Sequence, residues 1–172
     1  MKVVKKQKNS KNCIVCGLDN PNGIKANFYN LEDDTVGALL EFNFYHQSYP
    51  GRTHGGLIAS VLDEVMGRAL WLKEDGSYAV TTSMEVKYRR PVEYGKPLKA
   101  RAYIVKRLSR MFISKGEIYD LDNNLLAEGE GKYFIQPPTV ICDNGADIDE
   151  EMCYLIDDGV TEIDFPPLNK EV

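Results

Sequence analysis

The segment His54-Gly55-Gly56-Leu57-Ile58-Ala59-Ser60-Val61-Leu62-Asp63-Glu64-Val65-Met66-Gly67-Arg68-Ala69-Leu70-Trp71 constrains the fold more than any other part of the chain. Its apolar residues run almost all the way round a helix, and a helix of that kind is buried rather than laid on a surface. The pattern predicts a helix from about residue 56 to 72, ending before the polar, glycine-containing Lys73-Glu74-Asp75-Gly76. Two strands are predicted before it, at 24–30 and 36–44, joined by a turn at Asp33-Asp34. Four follow, at 78–90, 98–108, 111–121 and 125–135, the last two joined at Asp122-Asn123-Asn124. In the first of these, Val80, Met84, Val86 and Tyr88 fall on one face, with Thr81, Ser83, Glu85, Lys87 and Arg89 on the other. That period of two belongs to a half-buried strand. A single buried helix needs apolar cover on most sides, and one strongly curved antiparallel sheet wrapped around it supplies that cover. The expected class is therefore α+β.

A chain of 172 residues suits one domain with appendages. Residues 1–12 read as a flexible basic arm, 13–136 as the domain, and 137–172, after Pro137-Pro138, as a tail. The tail holds ten acidic side chains and one basic one, whereas residues 1–136 hold sixteen acidic and twenty basic. A mildly basic body suits a phosphate-bearing small ligand but is too weakly charged to indicate nucleic acid. The acidic tail reads as solvated. No apolar run approaches the roughly 20 residues that cross a bilayer, and no hydrophobic segment follows the basic start, so no membrane partner or secretory signal is expected. The expected location is cytoplasmic. Cys13 and Cys16 form a CxxC, while Cys142 and Cys153 are distant and differently spaced. One CxxC is half a tetrahedral zinc site. Cys142 and Cys153, or a second subunit, are candidates for the rest, but free thiols are the favoured reading, with no metal or cofactor expected.

The helix also carries the candidate site. Gly55 and Gly56 stand where it begins, and a helix N-terminus offers unpaired N–H donors to a carbonyl oxygen that gains negative charge during reaction. His54 precedes them and reads as readily as a cap as a chemical group. Asp63 is the candidate base. Ala59, Ser60, Met66 and Gly67, its neighbours at helical spacings of three and four, are mostly small and leave a groove beside it. Partial burial strengthens a carboxylate as a base. Glu64 is the poorer candidate, because Arg68 four residues on suits an exposed ion pair. Thr81 and Ser83 are available to hold water or ligand. Arg89 and Arg90, with Lys87, Lys106, Arg107 and Arg110, supply cations for phosphates. Gly55 and Asp63 lie about 12 Å apart along the helix axis. One helix cannot bring both to one substrate carbon, but two antiparallel helices can, so an active site here implies a two-fold homodimer with two shared sites.

The strand–strand–helix–strands order, His54-Gly55-Gly56 with Asp63 nine residues after the histidine, and Tyr88-Arg89-Arg90-Pro91 closing the next strand resemble the hot-dog-fold acyl-CoA thioesterases of the phenylacetate-degradation type. Cys13-Ile14-Val15-Cys16-Gly17 through Asn20-Pro21-Asn22-Gly23 is similar to one bacterial branch of that group. The likeness covers about residues 13–136. It implies a hot-dog fold, a homodimer with pairing into a homotetramer left open, and hydrolysis of an acyl-CoA thioester. By that likeness the Gly55 N–H polarises the thioester carbonyl. Asp63 of the partner subunit acts as general base or nucleophile, and Thr81 orients the water. The remaining candidates for substrate contact are His54, Gly56, Ser48, Gln47, Ser83, Arg89 and Arg90. Ser48 stands where many members carry asparagine, and Gln47 is its candidate substitute.

Three other readings compete. The first is a hot-dog protein that binds acyl-CoA without turnover, as sensor or carrier; a carboxylate set near an anionic ligand argues against it. A hydratase of the same fold would place a histidine on the helix, and this helix has none. In a purely structural module the helix would only fill the core.

Overall fold

Among the described residues, seven strands form one antiparallel sheet, and a single long helix packs against five of them. The computed structural model describes residues 1–142 and 147–168. The strands are β1 (Val3–Lys6), β2 (Asn27–Leu31), β3 (Val36–Glu41), β4 (Tyr78–Tyr88), β5 (Pro97–Arg107), β6 (Met111–Asp120) and β7 (Leu125–Gln136), in the spatial order β1-β2-β3-β5-β6-β7-β4. The helix α1 spans Gly55–Arg68 and tightens into a 3₁₀ turn over Ala69–Leu72. Two one-turn helices, α2 (Pro138–Ile141) and α3 (Ile148–Glu151), follow the sheet. This is the expected arrangement of strands around a central helix.

α1 buries Ile58, Val61, Leu62, Val65 and Met66, the residues of one helical stripe. Beneath it the sheet is lined with small residues in register. Val36, Ala102, Gly116, Gly129 and Val86 form one row across five strands. A Cβ on Gly116 would lie 2.8 Å from Met66 Cγ, so the row is a trough that the helix occupies. Every burial of this kind adds about 25 cal/mol per Å² of apolar surface removed from water.

The two ends of the chain differ from expectation. The lysine-rich start, expected to be a flexible arm, contributes β1 to the sheet, paired with β2. Residues 147–168, expected to be solvated, return along it through bridges Lys2–Glu162 and Asn9–Tyr154. The reason is charge complementarity over an apolar anchor. Lys6 meets Asp157 and Asp158, and Lys11 meets Glu150. Ile163 and Phe165 bury against Tyr29, Leu31 and Tyr119 in a second cluster. Charge composition alone shows the two ends as separate, and only the fold brings them together. The parts of the expected acidic tail at residues 143–146 and 169–172 lie outside the described residues.

Candidate functional site

Asp63 sits half-buried on the side of α1 that faces β4 and β7. Its Oδ1 accepts two hydrogen bonds, from Thr81 Oγ1 at 2.8 Å and from the Tyr133 hydroxyl at 3.1 Å; the same hydroxyl donates to the Asp63 carbonyl oxygen at 3.2 Å. No donor approaches Oδ2 among the described residues. One carboxylate oxygen is thus held and the other is free to take a proton or attack a carbon. Tyr133 is buried and stacked on Phe112, ring centroids 4.8 Å apart. Burial first, then the Asp63 carboxylate, pushes its phenol far above the ordinary value, so it stays a donor.

Thr81 is brought to Asp63 by an irregularity in β4. Val80 pairs with Phe134 and Thr81 with Tyr133, but Ser83 pairs with Lys132, leaving Thr82 as an extra residue. Such a bulge reverses the alternation of faces. Ala79, Met84 and Val86 pack on the core, and Val80 is exposed. The expected strand placed Val80 with the core and Thr81 on the opposite face; the bulge corrects both.

At the other end of α1, His54 is the N-cap and its Nδ1 accepts the Gly56 N–H at 2.9 Å. The Gly56 donor is therefore taken. The Gly55 N–H has no acceptor among the described residues. The Tyr88 hydroxyl donates to the Gly55 carbonyl oxygen at 2.9 Å, and its ring lies 3.5 Å from where a Gly55 Cβ would stand. Gln47 pairs with Thr53 as an isolated bridge, and Ser48 is exposed in the turn it forms with Arg52. Ser83 is exposed. Arg89 is engaged with Glu128 and Arg90 with Asn124, both on the open surface. Sequence reasoning missed Tyr133 and Tyr88. Nothing in a strand pattern separates a tyrosine that packs from one that also donates; only the pairing of β4 with β7 puts Tyr133 opposite Thr81.

A cavity of about 900 Å³ opens beside Asp63. Trp71, Tyr78 and Thr81 form one wall, Cys13 and Cys16 another, and Ile148 and Met152 of the returning tail a third. Gly55 does not line it. Glu64 and Arg68, expected as an exposed pair, are joined at 2.7 Å with Arg68 buried, its guanidinium over the rings of Phe28 and Trp71. The CxxC adjoins this pair. The Cys16 thiol donates to Ser10 Oγ at 3.4 Å, and its side-chain interaction with Cys13 is the main reason the Cys13 thiol is pulled down to about 7 while that of Cys16 is pushed up.

Residues 50–127 match the family model of the thioesterase superfamily. Acyl-coenzyme A thioesterase 13 of Mus musculus is 32% identical over 62 residues, which are 36% of this chain and 44% of that protein. The chain thus spans less than half the length of the curated relatives it matches. Among solved structures, a thioesterase-superfamily protein at 26% identity superposes with a TM-score of 0.65, over 72% of this chain and 60% of its own. The PaaI protein from the phenylacetic acid degradation operon of E. coli gives 0.60 at 18% identity, over 66% and 81%. A Streptococcus mutans protein bound to acetyl CoA gives 0.57 at 19% identity, over 63% and 86%. No helix among the described residues is long and apolar enough to cross a membrane.

Proposed function

We propose that this chain, whose residues 50–127 match the thioesterase-superfamily model and whose sheet and helix form the hot-dog fold, hydrolyses acyl-CoA thioesters to the free acid and CoA. The observation that carries the proposal is the asymmetry of the Asp63 carboxylate. Thr81 and Tyr133 hold Oδ1, while Oδ2 has no donor among the described residues, beside a cavity of small-molecule size.

In this reading Asp63 Oδ2 takes a proton from water, and the resulting hydroxide attacks the thioester carbon. The carbonyl oxygen becomes an oxyanion that accepts the N–H of Gly55 at the positive end of α1. The tetrahedral intermediate collapses, the C–S bond breaks, and the CoA sulfur recovers the proton from Asp63. Direct attack by Asp63 on the same carbon is the other course open to a free carboxylate oxygen. The acyl group occupies the cavity. The exposed Ser48, Ser83, Arg89 and Arg90 and the half-buried Gln47 are assigned to the CoA moiety, the arginines to its phosphates.

The site is shared between two subunits. Asp63 lines the cavity and Gly55 does not, which supports an arrangement in which each comes from a different chain. β4 supports it as well: it is an edge strand of eleven residues, paired among the described residues with β7 alone. A long open edge is a template for pairing with a second copy, and two-fold pairing there sets the α1 helices antiparallel. The four cysteines, none of them in a disulfide, fit the reducing cytoplasm as the setting of this homodimer.

The test is release of free CoA thiol from a panel of acyl-CoAs by the wild-type protein, Asp63→Ala and Asp63→Asn. Loss of about 10²–10⁴-fold in turnover with the fold retained supports a base at Asp63. Tight binding without release by the wild type favours the acyl-CoA carrier or sensor instead.

A further inference from the structure

We infer that Cys13, Cys16 and Glu64 form a zinc-binding site that fastens the N-terminal CxxC turn to α1, one residue from Asp63. The Sγ atoms of both cysteines and a carboxylate oxygen of Glu64 lie within 4.8 Å of one another. Ligands about 2.0–2.3 Å from a tetrahedral ion stand about 3.5–3.8 Å apart, so small side-chain adjustments close the site. The site is independent of the thioesterase reading.

The turn is shaped to present sulfur. The Gly17 N–H donates to the Cys13 carbonyl oxygen at 2.8 Å, and the Val15 N–H points at Cys13 Sγ at 3.3 Å. A Cβ on Gly17 would lie 2.3 Å from the Cys13 oxygen, so only glycine closes this loop. An N–H aimed at sulfur favours the thiolate, the form that binds metal. The turn is anchored from behind by Asn9, whose side-chain amide donates to the carbonyl oxygens of Cys16 and Ala26 at 2.9 Å each.

A second observation is a buried guanidinium with a spare donor beside the cysteine pair. Arg68 is 4% exposed, and its Nη2 has no hydrogen-bond acceptor. The guanidinium lies near the Cys16 side chain, whose thiol donates to Ser10 Oγ at 3.4 Å. A thiol is a weak acceptor, whereas a thiolate is a charged one. Glu64 completes the set: Oε1 takes Arg68 Nε at 2.7 Å, and Oε2 lies 4.0 Å from Cys13 Sγ. Arg68 therefore orients the Glu64 carboxylate, as partners behind metal ligands do. Charge balances. The ion brings two positive charges and releases one proton from each thiol to solvent, so the net charge of the cluster with Arg68 is unchanged. Two thiolates and one carboxylate suit zinc among the common divalent ions. Both cysteines and Glu64 line the cavity, from which water would supply a fourth ligand.

The experiment is titration of the freshly reduced, metal-free 172-residue protein with cobalt(II), followed by zinc competition and by metal analysis of the protein as purified. Expected are one ion per chain and visible tetrahedral cobalt bands with thiolate charge-transfer absorption, all displaced by zinc. Cys13→Ser removes the charge-transfer intensity due to one sulfur, and Glu64→Gln weakens zinc by roughly tenfold or more. If Cys13→Ser fails to fold, the wild-type titration and Glu64→Gln decide. Absence of uptake at equimolar cobalt overturns the site. So does unchanged zinc affinity in Glu64→Gln, or a Cys13–Cys16 disulfide that forms in air despite stoichiometric zinc.

Discussion

Thr81 reaches Asp63, 2.8 Å from Oγ1 to Oδ1, because Thr82 is an extra residue in β4. A strand without the bulge would turn Thr81 away from the helix and Val80 toward it. Bulges commonly re-aim a side chain beside a reactive group. Here the bulge supplies one of the two donors that hold the carboxylate.

Deleting Thr82 is expected to restore regular alternation and separate Thr81 from Asp63. Thr81→Val removes the same donor without moving the backbone. Each is expected to lower kcat by about tenfold, the worth of one net hydrogen bond. Parallel losses in the two variants, with thermal unfolding of Thr81→Val close to wild type, tie the bulge to chemistry. Full activity in the deletion variant would show that the bulge serves pairing alone.

Tyr133 depends on Gly131. A Cβ there would lie 2.6 Å from the Tyr133 ring, which is already stacked on Phe112 and has little room to retreat. Gly131→Ala is expected to cost about 1–3 kcal/mol through overpacking and to pull the hydroxyl from Asp63. Tyr133→Phe keeps the ring and loses only the hydroxyl, so its stability cost is expected near 1 kcal/mol. Denaturant unfolding of both variants checks the order, and turnover is expected to fall in both.

The sheet and helix were legible because their signals are local. The apolar stripe of α1 and the alternation in the later strands each follow from one element's own period. The Gly55 and Asp63 spacing was legible for the same reason. Tyr133, Tyr88 and the bulge were not, since each gains its meaning from a partner 18 or more residues away. The tail was misread on the same ground: ten acidic residues look solvated until Lys6 and Lys11 are placed beside them. Glu64 and Arg68 show the converse. Their spacing gave the pair, but only packing under Phe28 and Trp71 shows that Arg68 is buried.

The docking of the tail is expected to weaken in acid. Burial alone would push the Asp158 carboxyl up, but hydrogen bonds from Lys6, Tyr29 and the Val160 N–H overcome it and hold it below its ordinary value of 3.8. A depressed carboxyl contributes stability that is present above the ordinary value and is lost as pH falls through the folded one. Hydrogen exchange across residues 154–165, corrected for intrinsic rates, is therefore expected to be slow at neutral pH and to accelerate below about pH 4. Asp158→Asn is expected to exchange faster at neutral pH and to lose most of that acid response. An identical profile in the variant would remove Asp158 from the anchor.

Sharing of the site between subunits is tested by mixing two inactive chains. Gly55→Pro removes only the N–H proposed to receive the oxyanion. Proline is well accepted at the first position of a helix, and His54 at ψ 130° already has the extended backbone that a following proline requires. Asp63→Asn removes the base. Each variant alone is expected to be nearly inactive. Unfolding and refolding an equimolar mixture gives about half heterodimers, each with one intact site of two, so about a quarter of wild-type activity is expected to return. Sites built within single chains would stay inactive in every mixture, and recovery would be absent.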